Sequence, residues 1–214
     1  MSRTVVISLG TSLSEMTGGR FPGSVHASAG SAARPDALGQ VAEAVLGSEQ
    51  HRTAELLDVL DGRLTERLDV VRVGDDVLPQ LAHEGSVSGA LAAARRALRP
   101  GGLVVAAVPE LSGLRSLRPT APPPKVTGVG ETRQIIVQLW DWAEDGTGYG
   151  LEVMRLHRIQ GRWEVAHSTS TRHRVLSRDQ IAQAFEIAGF VGVQRLSPAE
   201  SGHPLPVWVA VAPR

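Results

Sequence analysis

The sequence has no cysteine, a single lysine (Lys125) and a single tyrosine (Tyr149), and only 4% of its 214 residues are aromatic. Without cysteine there is no disulfide, no thiolate nucleophile and no Cys-built zinc site, and a reducing cytoplasm is the expected location. Net charge is missing as well. The 22 basic residues balance 22 acidic ones, so no overall field draws nucleic acid or an anionic membrane surface. Long apolar runs are also lacking: the one at residues 4–9 is too short to span a membrane and does not have the form of a secretory signal. The seven histidines show no paired ligand spacing, so no metal is expected. Hydrolase chemistry has no foothold either, because Gly85-Ser86-Val87-Ser88-Gly89 carries valine where a nucleophile elbow needs serine.

What is present reads as one α/β domain over residues 1–214, a length that can bury a real core. Residues 4–9 are β-branched and apolar and stop at Gly10, which predicts a first strand. A Gly, Ser and Ala-rich stretch follows, with a short second strand expected near Val25. Leu38, Val41, Ala42 and Val45 recur at helical spacing behind a capping Asp36. Residues 56–60 are too few for periodicity to choose between strand and helix. Residues 68–73 predict a strand ended by Gly74-Asp75-Asp76, and residues 86–98 a helix stopped by Pro100-Gly101-Gly102. The continuous apolar run 103–108 predicts a strand covered on both faces.

Residues 109–175 read as an insertion. A lid loop rich in proline and glycine leads into three β-rich runs, 133–142, 150–159 and 163–171, expected to form an antiparallel meander. Ser177 and Gln180 form a capping box for a helix whose buried stripe is Ile181, Ala184, Phe185 and Ala188, with Gly189 as its stop. Residues 191–196 and 206–211 predict the last two strands, the final one antiparallel.

The segment 90–109, ALAAARRALRPGGLVVAAVP, resembles the helix, Pro-Gly-Gly turn and fifth strand of class I S-adenosylmethionine-dependent methyltransferases, and Leu68-Asp69-Val70-Val71 resembles their fourth strand. Farther on, Trp140, Tyr149, residues 174–180, Ala188-Gly189-Phe190 and residues 197–204 are similar to the same regions of glycine/sarcosine N-methyltransferases. The resemblance implies a Rossmann-like, mostly parallel sheet with an antiparallel last strand. It covers the last two-thirds of the chain and departs in the first third. There the family places an acidic residue and a Gly-x-Gly-x-Gly loop, whereas this chain has Ser8-Leu9-Gly10-Thr11-Ser12-Leu13-Ser14. The family's ribose-binding acid is likewise replaced by Val25-His26-Ala27-Ser28-Ala29, and almost no residues precede residue 4 to build a substrate-covering arm.

By the resemblance, Gly10, Thr11, Ser12, Ser28 and Asp58 stand at the cofactor positions, Asp58 by spacing alone. Each lost charged contact weakens a ligand by about 1.5–3 kcal/mol, so S-adenosylmethionine is expected to bind weakly or through a partner subunit. For the substrate, Trp140 and Tyr149 form an aromatic wall and Arg172 and Arg174 an anion-gathering pair, with His173 sent to the opposite face by strand alternation. Core packing or a subunit contact is the structural alternative for the aromatic group, and a solvated strand end for the arginines. Asp75 and Asp76 stand where open α/β sheets place ligands, or serve as a turn or cap; His83-Glu84 and residues 200–203 hold further acid and base types. Three functions follow. The chain is a degenerate, non-catalytic methyltransferase-like subunit of small-molecule biosynthesis, paired with an intact cofactor-binding homologue or with itself. Alternatively it is an active small-molecule N-methyltransferase, or the same fold redirected to a reaction such as cyclisation.

Overall fold

A computed structural model describes residues 36–62, 66–111, 121 and 123–214. The expected strand at 4–9, Gly10, Thr11, Ser12, Ser28 and the strand near Val25 lie outside the described residues. Asp36 opens the first helix, α1 (Ala37–Leu46), by accepting the Gly39 N–H at 3.0 Å. Val41 and Ala42 are buried, but Val45, expected on the same stripe, is 55% exposed, and Leu46 packs against the core in its place. The ambiguous residues 56–60 form helix α2 (Leu56–Leu60), and the strand lies just before them as β1 (Thr53–Glu55).

β2 (Leu68–Val73) is followed by helix α3 (Val77–His83), which the sequence reading passed over. Pro79 does not prevent it, since a proline in the first turn removes an N–H that has no helical partner anyway. Next come α4 (Val87–Ala97) and β3 (Leu98–Ala107). β3 begins five residues before the expected 103. Leu98 pairs with Leu68 and Leu103 with Val70, and the Pro-Gly-Gly turn is absorbed as a register shift between those pairs. Gly101 takes φ +78°, and a Cβ on Gly102 would lie 3.0 Å from the Arg99 and Asp69 carbonyl oxygens, so this shift depends on glycine.

Period-two alternation builds the core. Val71, Val73, Val104, Ala106 and Trp208 face the side packed by α2, α4 and the later helix α5 (Arg178–Ile187); Val70, Leu103, Val105, Val207 and Val209 face the side of α1. The sheet runs β1-β2-β3-β9-β8, where β8 is Val191–Leu196 and β9 is Val207–Val211. The first three strands are parallel, and β9 is antiparallel to both of its neighbours. The capping box at Ser177 and Gln180 is present, with bonds of 2.9 and 3.2 Å, and Gly189 closes α5 at φ +82°.

The meander has four strands rather than three: β4 (Lys125–Thr127), β5 (Gln134–Trp142), β6 (Gly148–Ile159) and β7 (Arg162–Arg174), all antiparallel. Gln160 and Gly161, both at positive φ, make the two-residue turn between β6 and β7. A short helix, α6 (Pro198–Ser201), links β8 to β9. Among the described residues no helix is long and apolar enough to cross a membrane.

Candidate functional site

Open α/β sheets bind ligands beyond the carboxyl ends of their strands. Here β2 ends at Val73 and delivers Asp75 and Asp76, while β3 ends at Ala107 and delivers Glu110 and Leu111. Asp75 is buried, with an oxygen 3.5 Å from Nε2 of His203. Nδ1 of His203 lies 3.1 Å from the Leu205 N and 3.3 Å from the Leu205 carbonyl oxygen, which holds the ring with Nε2 toward Asp75. Asp76 is half-buried, and burial, with the neighbouring charge of Asp75, raises its carboxyl above the ordinary range. Glu110 accepts from Arg178 at 2.8 and 3.1 Å and also from Arg195, tying α5 and β8 to the end of β3. Its burial alone would raise the carboxyl, but the two guanidinium groups win and hold it below the usual range.

The inner face of the meander covers these strand ends. Trp142, Tyr149 and His173 form one cross-strand row, with Trp140 one pleat away. Their rings stack: Trp140 on Tyr149 and Tyr149 on His173, each at 4.8 Å between centroids, with Trp142 at 5.2 Å from Tyr149. Trp140, Tyr149, Leu151, Val175, Leu205 and Leu111 form a separate apolar cluster, so the aromatic wall also has the packing role foreseen for it. Burial raises the Tyr149 phenol, and the charge of Asp76 adds to the effect. His173, buried, is held down to about 4, by burial first and then by His83.

The stack borders a cleft of about 700 Å³. His83, at the end of α3, and Arg172 and Arg174, at the end of β7, also line it. The fold thus brings together four residues expected on the substrate side: Trp140, Tyr149, Arg172 and Arg174. As alternation requires, both arginines are exposed and His173 is buried on the other face. Asp58 is exposed on α2 and does not line the cleft. Glu200 is occupied with capping, accepting the Ser197 N–H and hydroxyl at 2.7 Å. The pairing of His203 with Asp75 was not foreseen from the sequence. The only signal for it was two adjacent aspartates after a strand. Among the described residues no cluster of three or more metal-ligating side chains occurs.

A nucleotide-like cofactor needs a close backbone approach where a strand gives way to its helix. β1, the strand beside β2, runs straight into α2 with no glycine between them, and Leu56, 1% exposed, fills that corner. The Glu55 carboxylate is paired with Arg72 at 2.7 Å. The β1 to α2 corner thus offers no close backbone approach, while Gly10, Thr11, Ser12 and Ser28, where the resemblance places the cofactor, lie outside the described residues.

No family model and no curated protein matches this chain. Solved structures do match it in fold. The sugar N-methyltransferase KedS8 from Streptoalloteichus shares 16% identity at a TM-score of 0.60, covering 73% of this chain and 61% of its own. CalS10 from Micromonospora echinaspora, a SAM-bound amino pentose methyltransferase of calicheamicin biosynthesis, shares 16% at 0.52, covering 70% and 60%. An S-adenosylmethionine-dependent methyltransferase from Clostridium acetobutylicum shares 8% at 0.53, covering 71% and 61%. The architecture is that of the Rossmann-like methyltransferases, and the match spans about three-fifths of these neighbours.

Proposed function

We propose that this chain is a methyltransferase-fold subunit of small-molecule biosynthesis that supplies a substrate cleft, does not itself grip the methyl donor, and works beside a homologue that does. The carrying observation is the replacement of the family's acidic residue and glycine loop by Ser8-Leu9-Gly10-Thr11-Ser12-Leu13-Ser14. The β1 to α2 junction, where Leu56 is buried and Glu55 is paired with Arg72, supplies no glycine cradle in its stead. The biosynthetic setting is drawn from the neighbours' roles in sugar and amino pentose methylation.

Calorimetric titration of the purified chain with S-adenosylmethionine and S-adenosylhomocysteine tests the reading. The expected result is no binding by the chain alone and binding once an intact homologue is co-purified with it. Micromolar affinity for the isolated chain overturns it in favour of the second reading, an active N-methyltransferase. That reading draws support from the aromatic-lined cleft, since methyl transfer needs little beyond positioning of nucleophile and sulfonium.

A further inference from the structure

The meander changes sidedness along its length. Over the strand ends its inner face is apolar, with Trp140, Tyr149 and Leu151 buried. Farther along the strands that face turns mostly polar, carrying Gln134, Gln138, Arg155 and His157, and the apolar side chains collect on the outer face. Cross-strand pairing sets Val126, Ile135, Leu156 and Val165 in one outer row and Val137 and Met154 in the next. None of these six belongs to or packs against the buried clusters, and Val126 and Val165 are 57% and 55% exposed. A contiguous apolar patch of this kind on a sheet marks an interaction surface. Strands of nine residues, three to four abreast, make a face of about 30 by 17 Å, so two such faces cover about 1,000 Å², the size at which a specific interface begins.

The rows that flank the patch select its occupant. At one end stand Arg133, one residue before β5, and the cross-strand pair Arg158 and Trp163; at the other stands the row Asp141, Gly150 and Arg172. On β5 and β6 each row lies four residues from the middle row of Val137 and Met154. Arg133, Arg158, Asp141 and Arg172 are all exposed, and none forms an ion pair among the described residues. Half a turn about an axis lying across the strands at the middle row lays β5 on β5 and β6 on β6 of a second copy, with the strand directions reversed. Arg133 of each copy then faces Asp141 of the other, Arg158 enters the space left by Gly150, and the Trp163 ring meets the Arg172 guanidinium. The long arginine side chains span the usual crossing of about 30° between packed sheets. With the axis along the strands instead, the arginine end of one copy would meet the arginine end of the other.

We infer that the outer face of the meander binds a second copy of this chain in the reversed, two-fold orientation, and that each copy closes the other's cleft. Asp141, Gly150 and Arg172 line that cleft, so Arg133 and Trp163 of the second copy complete its wall. The inference goes beyond the auxiliary role and does not rest on it. Sedimentation velocity over a concentration series tests it, with a dimer expected at micromolar concentration. Arg133→Asp and Asp141→Arg each weaken the dimer about tenfold or more, because the contact occurs twice and becomes like-charged. The double variant restores the pair with its signs exchanged and returns to within about threefold of the wild type. Met154→Glu, at the axis, abolishes the dimer. Melting curves establish that each variant folds; if Met154→Glu does not, the charge exchange decides alone. A chain that stays monomeric at every concentration, one that pairs only with a donor-binding homologue, a dimer indifferent to Met154→Glu, or a double variant no better than the single ones overturns the inference. Donor binding in the separate calorimetric titration would overturn the auxiliary-subunit reading and leave this result standing.

Discussion

The Asp75 carboxylate lies 3.5 Å from Nε2 of His203, joining the end of β2 to the turn after α6, and both side chains are largely shielded from water. Because the pair connects segments remote in sequence, it should couple them energetically. Asp75→Asn and His203→Ala are each expected to destabilise by about 1 kcal/mol or more, with a coupling of at least about 0.5 kcal/mol in the double-mutant cycle. Urea denaturation of the four proteins measures this, and strict additivity would remove the pair's proposed role.

Tyr149→Phe should make the protein more stable. The hydroxyl is buried without a partner among the described residues, and replacing such a group with an isosteric apolar one removes a desolvation penalty of about 1 kcal/mol. For a chain of this size that raises Tm by about 2–4 °C. A lower Tm would mean that the hydroxyl is already satisfied in the folded protein.

Acid should weaken the fold through His173. Its folded value of about 4 lies below the ordinary 6.5, so between these values the unfolded chain binds a proton that the folded chain does not. Its contribution is complete above about 6.5 and declines as pH falls toward about 4, by at most about 3 kcal/mol. Asp76 and Glu55 oppose the trend, because their raised carboxyls take up protons more readily when folded. Glu110, held low, adds to the acid loss below the usual carboxylate range. His173→Phe should flatten the stability profile between pH 6.5 and pH 4; an unchanged slope would assign the effect to other groups.

Gly148 lies under the β7 backbone at the edge of the cleft. A Cβ there would sit 2.8 Å from the His173 carbonyl oxygen, closer than strands tolerate. Gly148→Ala is expected to cost about 1–3 kcal/mol and to spread β6 from β7. Faster amide exchange along residues 171–174 would accompany it, and a wild-type exchange pattern would show that the strands absorb the methyl group.

Glu110→Gln should loosen the attachment of α5 and β8 to the end of β3, since one carboxylate serves both Arg178 and Arg195. Amide exchange near the start of α5 and along β8 should increase while β2 and β3 stay protected. Uniform protection would show that apolar packing by Ile181 and Phe185 holds the helix unaided.

By itself, the sequence determined the elements whose signals are local. Alternation along residues 68–73 and 103–108, the Asp36 cap and the Ser177 and Gln180 box each depend on neighbours a few residues apart, and each reappears in the structure. The opposition of His173 to Arg172 and Arg174 was legible for the same reason, because pleating depends on nothing beyond the strand. Only the tertiary structure decided that residues 56–60 coil instead of extending, since Leu56 must turn inward under α4. It alone decided that Tyr149 stacks on His173 and that Asp75 meets His203. Those encounters join segments far apart in the chain, and their geometry is set by how the meander settles over the strand ends, which no local pattern specifies.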